Sequence, residues 1–365
     1  MLALAGWRLG LDLRFVDGSA EATTCPFGDV LRGDLRDGEV FEQFLDGVDV
    51  VTYESENLDL DLAGRIHERR LLRPGLTALA TAQDRAREKA AFEAAGVRVA
   101  PWRTAEGADE LRAAADALGY PLVVKTRRFG FDGRGVRVVR SAEGLADAAR
   151  DLGGVPCIVE AFVPFSAEVS LLLARAASGD IVTWPLTQNC HEQGILRWSR
   201  APGAAFAHLE EGARRAGAAL AEAMDYCGVL AIEFFVRDGE LWGNEMAPRV
   251  HNSGHWTQNG ASLDQFEAHL RAITDLPLCS PQGREPTTMI NLIGRLPGRD
   301  DPWLTSSGVH WHLYGKSPRA GRKVGHINVV GDAAHAAEGA TPSLVDRIVD
   351  AYAPVHARAS SVVDG

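Results

Sequence analysis

The chain has no long hydrophobic run, no cysteine pairing pattern and very little lysine, and each shortage removes a class of protein. No apolar stretch approaches the ~20 residues that cross a bilayer, so a membrane-spanning protein is not expected. The opening "MLALAGWRLG" has too short an apolar segment, and no basic lead-in, for a secretory leader. The five cysteines (Cys25, Cys157, Cys190, Cys227, Cys279) are scattered, odd in number and without a CxxC pair. That spacing argues against a disulfide framework or a thiolate metal site and for a reducing cytoplasm. Net charge is −11, the wrong sign for a chain that grips nucleic-acid backbone. A small phosphorylated ligand needs only a local basic pocket and stays open.

The lysine shortage is the most informative. Only Lys89, Lys125, Lys316 and Lys323 stand among 38 basic residues. Where any cation would serve, this chain writes arginine, so a retained lysine marks a place that wants a compact ammonium instead of a planar fork.

What is present is length, at 365 residues and 46% hydrophobic, which is enough for two or three domains. Residues 1–77 read as α/β, with "LDLRFVD" and "VDVVTYESEN" as strands ending in acidic residues. Two helices, "AQDRAREKAAFEAAG" and "EGADELRAAADALG", flank a short "VRVAPW" strand. From residue 121 the pattern is strand-rich, then a helix is expected near 205–226 and a hairpin over 228–249. The tail from 286 has three strands and a last helix near 342–358. The expected class is α/β plus α+β units packed together, not one doubly wound sheet.

Three constellations carry chemistry. In the hairpin "GVLAIEFFVRDGELWGNEMAPR", a three-residue turn over Asp238-Gly239-Glu240 sets Glu233 opposite Glu245 on one face. A two-residue Asp-Gly turn shifts the register by one and sends them to opposite faces. Facing carboxylates repel unless a cation lies between, and oxygen-only ligation suits Mg2+ with substrate phosphates. Alternation then brings Arg249 to the same face, where it can stabilise developing negative charge. The bland alternative is a solvent-facing strand with Arg–Glu pairs, which the neighbouring "FFV", "LW" and "M" oppose. Second, "VHNSGHWTQNG" packs His251, Asn252, Ser253 and His255 beside that arginine. Two histidines there lack a third ligand for Zn2+, so a donor-rich loop for phosphate or sugar fits better. Third, "VVKTRRFGFDGRGVRVV" is a hairpin with Gly130, Gly133 and Gly135 in its loop and Lys125 at its entrance. It is neither a P-loop nor a dinucleotide fingerprint, but a glycine-rich lid whose N–H groups can approach phosphates. The segment "CIVEAFVPFSAEVS", bending at Pro164, reads as a hinge or as plain structure.

In that order, the lysine strand, glycine hairpin, "VE" hinge and late glutamate pair resemble the ATP-grasp ligases. Within them, "FGFDGRG", "NEMAPRVHNSGHWTQNGASLDQFEAHLRAITDLPL" and "YGKSPRAGRKVGHINV" resemble the N5-carboxyaminoimidazole ribonucleotide synthase family over nearly the whole chain. All four lysines stand where that family's pattern has lysine.

The resemblance implies an ATP-grasp fold with a Rossmann-like pre-ATP-grasp unit over 1–77. An ATP-grasp unit over 78–275 would carry a lid at about 100–162, and a small β-rich region over 276–365 would complete the substrate site. It implies a cytoplasmic homodimer that carboxylates aminoimidazole ribonucleotide with ATP, Mg2+ and bicarbonate through carboxyphosphate, in purine biosynthesis. ATP would meet Arg85, Lys125, Gly130, Phe131, Asp132, Gly133, Arg134, Gly135, Glu160, Val163, Glu168, His191, Asn244 and Glu245. Glu233 and Glu245 would hold Mg2+. The ribonucleotide and bicarbonate would lie among Arg134, His251, Asn252, Ser253, Lys316, Arg322 and Lys323, with Asp132, Arg249 and Lys316 acting in catalysis. Two departures stand out. Met1 matches the methionine that ends the family's "GGGQLGRM"-like loop, so the first strand and phosphate loop are expected to be missing. Ser55 in "YESEN" replaces an apolar residue. The alternatives are another ATP-grasp ligase, or a nucleotide-binding remnant impaired by that missing loop.

Overall fold

The computed structural model describes residues 1–18, 27–128, 130, 135–335 and 343–353. Its largest element is a ten-stranded sheet ordered 309–313, 323–330, 287–293, 195–201, 187–192, 167–175, 228–237, 240–247 and 98–99, with 181–183 added beside 167–175. Neighbours are antiparallel except the final 240–247/98–99 pair. Period-two alternation divides its side chains. Val169, Leu171, Leu173, Ile232 and Phe234 face the helix Glu210–Ala223, burying Ala213, Leu220 and Ala221. Leu172, Ala174, Ala231 and Ala247 face the other way, onto Trp184, Trp256 and Ala268. On that second face the apolar row ends at Ser170, Glu233 and Glu245, and there the site begins.

A separate four-stranded antiparallel sheet, ordered 102–105, 157–161, 122–126 and 136–139, is closed by helices Ala108–Leu118 and Ala142–Asp151. Leu111, Leu122, Val124, Leu145 and Val159 form its own core. The chain leaves it at Ala161 and joins the large sheet at Ala167, so the segment around Pro164 connects two sheets.

Residues before 77 form two parallel strand pairs, Arg14–Val16 with Asp29–Leu31 and Val50–Val51 with Leu71–Leu72. Helices Gly38–Leu45 and Leu60–Arg69 cover them, each started by an aspartate (Asp37, Asp59) that accepts two backbone N–H groups. The tail buries Ile290, Ile327 and Val329 under helix Leu344–Tyr352, which opens on a Ser343–Asp346 capping box.

Two helix boundaries differ from expectation. The 205–226 segment is a 3-10 turn, Ala204–Leu209, followed by an α-helix that stops at Ala223 because Asp225 takes a left-handed φ of 44°. The last helix, expected over 342–358, is described over Leu344–Tyr352 and gives way to non-helical Ala353; residues 354–365 lie outside the described set.

Candidate functional site

The 228–249 hairpin achieves the expected glutamate pairing by a different route. Its turn is the two-residue Asp238-Gly239, with φ of 52° and 74°, and Arg237 pairs with Glu240. That turn by itself would send the two glutamates to opposite faces. A β-bulge corrects the register: Phe234 pairs with Gly243, but Glu233 pairs with Glu245, leaving Asn244 as the extra residue. Lys89, 1% exposed, donates from Nζ to the carbonyls of Gly243 (3.2 Å) and Asn244 (2.8 Å). Gly243 leaves no room for a side chain, since a Cβ there would stand 2.8 Å from the Phe92 ring. A lysine and a phenylalanine from the helix Arg85–Ala94 thus hold the bulge.

That helix starts at Asp84, whose Oδ1 accepts the N–H groups of Ala86 and Arg87 and is gripped by Arg127 Nε at 2.9 Å. Arg85 is thereby aimed at the carboxylates, with NH1 3.4 Å from Glu245 Oε2 and NH2 donating to Gly130 O at 3.2 Å. One turn on, buried Glu88 accepts the Met246 N–H at 2.6 Å, and burial pushes its carboxyl up to about 8.

A cavity of about 670 Å3 opens over the exposed ends of these groups, between the two sheets. On its lid side, Glu160 lies 2.9 Å from Lys125 Nζ and 3.4 Å from Lys89 Nζ. Burial disfavours the Glu160 charge, yet Lys125 and Lys89 outweigh it and hold the carboxyl down at about 2. Burial lowers Lys125 in turn. On the sheet side, Glu233 has His251 Nε2 at 3.8 Å as its nearest cationic candidate. Burial raises its pKa, and the facing Glu245 charge adds to the rise. His191 Nδ1 lies 3.3 Å from Glu168 Oε2; burial opposes its protonation, but Glu168 and Glu233 raise it to about 9. Arg249 is held by both oxygens of Glu56, NH2 to Oε1 at 3.0 Å and Nε to Oε2. Burial holds His251 well below the usual imidazole range, so it is neutral. Half-buried Asn252 has both amide atoms shielded from solvent and neither paired among the described residues, the state of a side chain that can take a ligand.

The cavity gathers most of the sequence-predicted residues. Arg85, Lys125, Gly130, Glu160, Val163, Glu168 and His191 line it from the lid and hinge; Glu233, Asn244, Glu245, Arg249, His251, Asn252 and Lys323 line it from the sheet and tail. Ser253 is buried behind His251, with Oγ 2.9 Å from Nδ1. Gly135, φ 73°, closes the lid hairpin by accepting the Thr126 N–H at 2.8 Å. Lys316 stacks 5.8 Å from the Tyr314 ring centre and Arg322 donates to Ser317 O, both outside the cavity lining. Phe131, Asp132, Gly133 and Arg134 lie outside the described residues.

Several lining residues escaped sequence reading. Phe165 and Phe235 stack at 4.4 Å between ring centres and give the cavity a flat aromatic wall suited to a planar base. Each sits in an apolar run where an aromatic signals core. Glu56 and Glu88 carried faint signals, the acidic end of "YESEN" and a neighbour of a rare lysine.

The residues present fit a hard cation. Among the described residues no group of three His, Cys, Asp or Glu that could hold a metal ion forms. Two facing carboxylates, one held above its usual range by burial and by the charge of the other, offer the oxygen pair that Mg2+ completes with water and phosphate.

Comparison with known proteins agrees with this geometry. The ribonucleotide synthetase preATP-grasp domain family matches residues 1–83, the ATP-grasp domain family 90–266, and the phosphoribosylaminoimidazole carboxylase C-terminal domain family 287–339. The chain is 42% identical over 330 residues to a Pseudomonas aeruginosa protein named N5-carboxyaminoimidazole ribonucleotide synthase, covering 90% of this chain and 91% of that one. A crystal structure of N5-carboxyaminoimidazole ribonucleotide synthetase from Thermus thermophilus is similar with a TM-score of 0.86 and 45% identity, covering 91% of each chain. The Aspergillus clavatus N5-carboxyaminoimidazole synthase in complex with ADP and 5-aminoimidazole ribonucleotide matches with a TM-score of 0.80 and 28% identity, over 91% of this chain and 90% of that one.

Proposed function

The chain belongs to the N5-carboxyaminoimidazole ribonucleotide synthase family, and from that premise we propose how its cavity is used. It is an ATP-dependent ligase that carboxylates 5-aminoimidazole ribonucleotide in purine biosynthesis, with ATP and Mg2+ as cofactors. The observation that carries the assignment of roles is the bulge-corrected pairing of Glu233 with Glu245 in the same cavity as Lys125 and Arg249.

In the proposed arrangement the base of ATP lies against Phe165 and Phe235, reads the backbone at Val163, and presents its ribose to Glu168. Lys125, Arg85 and His191 meet the phosphates. Mg2+, held by Glu233 and Glu245, supplies charge neutralisation at those phosphates when bound. Bicarbonate is the carboxyl source: one oxygen attacks the γ-phosphorus, ADP leaves, and carboxyphosphate forms. The exocyclic amine of the ribonucleotide then attacks the carboxyl carbon, phosphate departs, and the amine loses a proton. Arg249, His251 and Asn252 stabilise negative charge on the transferring carboxyl group. Glu56 holds the Arg249 fork in place before the anion arrives. Asp132, in the lid, orients the amine or takes its proton. Arg134, Ser253, Lys316, Arg322 and Lys323 complete the ribonucleotide side, Lys316 and Arg322 from beyond the cavity lining. The glycine-rich lid with Gly130 to Gly135 excludes water from the short-lived mixed anhydride. The division at residues 77 and 275, the cytoplasmic setting and the homodimer belong to the same reading; no helix among the described residues is long and apolar enough to cross a membrane.

The test is ADP release measured with and without the ribonucleotide and bicarbonate. Release that requires both supports the assignment; nucleotide binding with no ribonucleotide-dependent turnover sinks it.

A further inference from the structure

His251 has a second hydrogen-bonding role, turned away from the cavity. It is the N-cap of the 3-10 turn Asn252–Gly254, and its Nδ1 accepts the backbone N–H of Ser253 at 3.3 Å. A backbone N–H can only donate, so Nδ1 carries a lone pair and the proton of the neutral ring sits on Nε2. Ser253 Oγ lies 2.9 Å from the same Nδ1 and, with no proton there to accept, donates to it.

Behind Ser253 the row continues with one polarity. Ser170 Oγ donates to Ser253 Oγ at 2.9 Å, Asn189 Nδ2 donates to Ser170 Oγ at 3.0 Å, and Ser199 Oγ donates to Asn189 Oδ1 at 2.8 Å. Each hydroxyl has one proton, so accepting from one neighbour commits it to donate to the next. All four side chains are at most 5% exposed. The row follows the sheet: Ser199 pairs with Asn189, and Ser170 pairs with Glu233, which pairs with Glu245. Turning over the Asn189 amide would reverse the serine row, but the Ser253 backbone donor would still require a bare Nδ1.

We propose that Ser253 holds His251 as the Nε2–H tautomer and that Ser170, Asn189 and Ser199 form a buried relay of positioning residues behind it, which aims the ring so that it donates into the cavity beside Glu233. The purpose rests on the reading of the cavity given above. Glu233 Oε1 is 3.8 Å from Nε2, and a carboxyl oxygen gaining negative charge at this corner meets a neutral, pre-aimed donor. The opposite tautomer would offer that oxygen a lone pair and forfeit the cap.

The experiment uses the full chain labelled with 15N at histidine, with ring 15N–1H correlations recorded for wild type, S170A, N189D and S170T. H251Q identifies the His251 signals by their loss. N189D keeps the side-chain shape but presents only acceptors when ionised, which turns the Ser170 hydroxyl away from Ser253. Wild type is expected to show His251 protonated at Nε2 alone. S170A and N189D are expected to keep Nε2–H, because the Ser253 N–H still needs a bare Nδ1, but to loosen the aim of the ring and lose about tenfold in kcat, with KM for ATP little changed. S170T restores kcat. A wild-type ring protonated at Nδ1, or wild-type kcat in S170A and N189D, overturns the proposal. The site reading is tested apart from the spectra: Gln places its amide donor where Nε2 stands, so H251Q should outperform H251N. H251A with wild-type kcat would overturn the reading of the cavity, and with it the purpose of the relay.

Discussion

Glu160 and Glu233 face the same cavity from its two sides and sit in opposite electrostatic surroundings. Glu160 lies between Lys125 and Lys89, its carboxyl held at about 2 and its charge fully answered within the protein. Glu233 faces another carboxylate and the neutral His251; burial raises its pKa even though His191, itself lifted to about 9, pulls the other way. The difference separates a corner finished by folding from one finished by ligand. The lid corner uses its charges to fix Lys125; the sheet corner sets two carboxylates face to face, answered only in part by Arg85 on Glu245 and His191 near Glu233, which leaves a place for a cation.

The sharpest break of this comparison is Glu233→Gln. It should lower kcat on the order of a thousandfold, about 4 kcal/mol of transition-state stabilisation, while leaving the ligand-free protein as stable as wild type or more so. Steady-state turnover and thermal melting check the two halves; a variant that melts early and still turns over would reverse the assignment of the corners. Glu160→Gln is expected to do the opposite. Removing one member of a buried ion cluster leaves Lys125 and Lys89 uncompensated, at a stability cost of about 3–5 kcal/mol read by denaturant titration. An unchanged melting profile would show that the lid corner is not finished by folding.

Ligand linkage sharpens the contrast further. Saturating ATP with Mg2+, at 100 times its dissociation constant, should stabilise wild type by about 2.7 kcal/mol, and calorimetry should show the Mg2+-dependent part vanish in E233Q. The smallest effect concerns Glu88, between the corners, whose carboxyl burial lifts to about 8 from an unfolded value near 4.5. Between those values the folded chain keeps a proton that the unfolded chain has released, so stability falls as pH rises through this window. Glu88→Gln can still accept the Met246 N–H and should flatten the fall in melting curves from pH 5 to 8. A slope unchanged by the substitution would place the buried proton elsewhere.

Much of the site was legible before the fold. The scarcity of lysine pointed to Lys125 and Lys323 in the cavity and to Lys89 beneath it, although Lys316 stands outside the lining. The two strands of the glycine-rich hairpin and the donor-rich "HNSGH" run fall where sequence reasoning set them. The aromatic wall of Phe165 and Phe235 was not legible, because a phenylalanine on a strand looks the same whether it packs a core or faces a base. The Glu56–Arg249 fork was not legible either, since its partners are 193 residues apart.

The hairpin divides the two kinds of information most clearly. By itself the sequence determined the residue types: two glutamates, an arginine in alternation with one of them, and an Asp-Gly pair that readily takes positive φ. It did not determine that the glutamates would meet, because the two-residue turn predicts opposite faces. The tertiary structure decided that with one extra residue, Asn244, kept out of the ladder by Lys89 on its carbonyl and by Phe92 against Gly243. The physical reason is that register is a property of the strand pair and of what packs against it. Here the packing comes from a helix some 150 residues earlier in the chain.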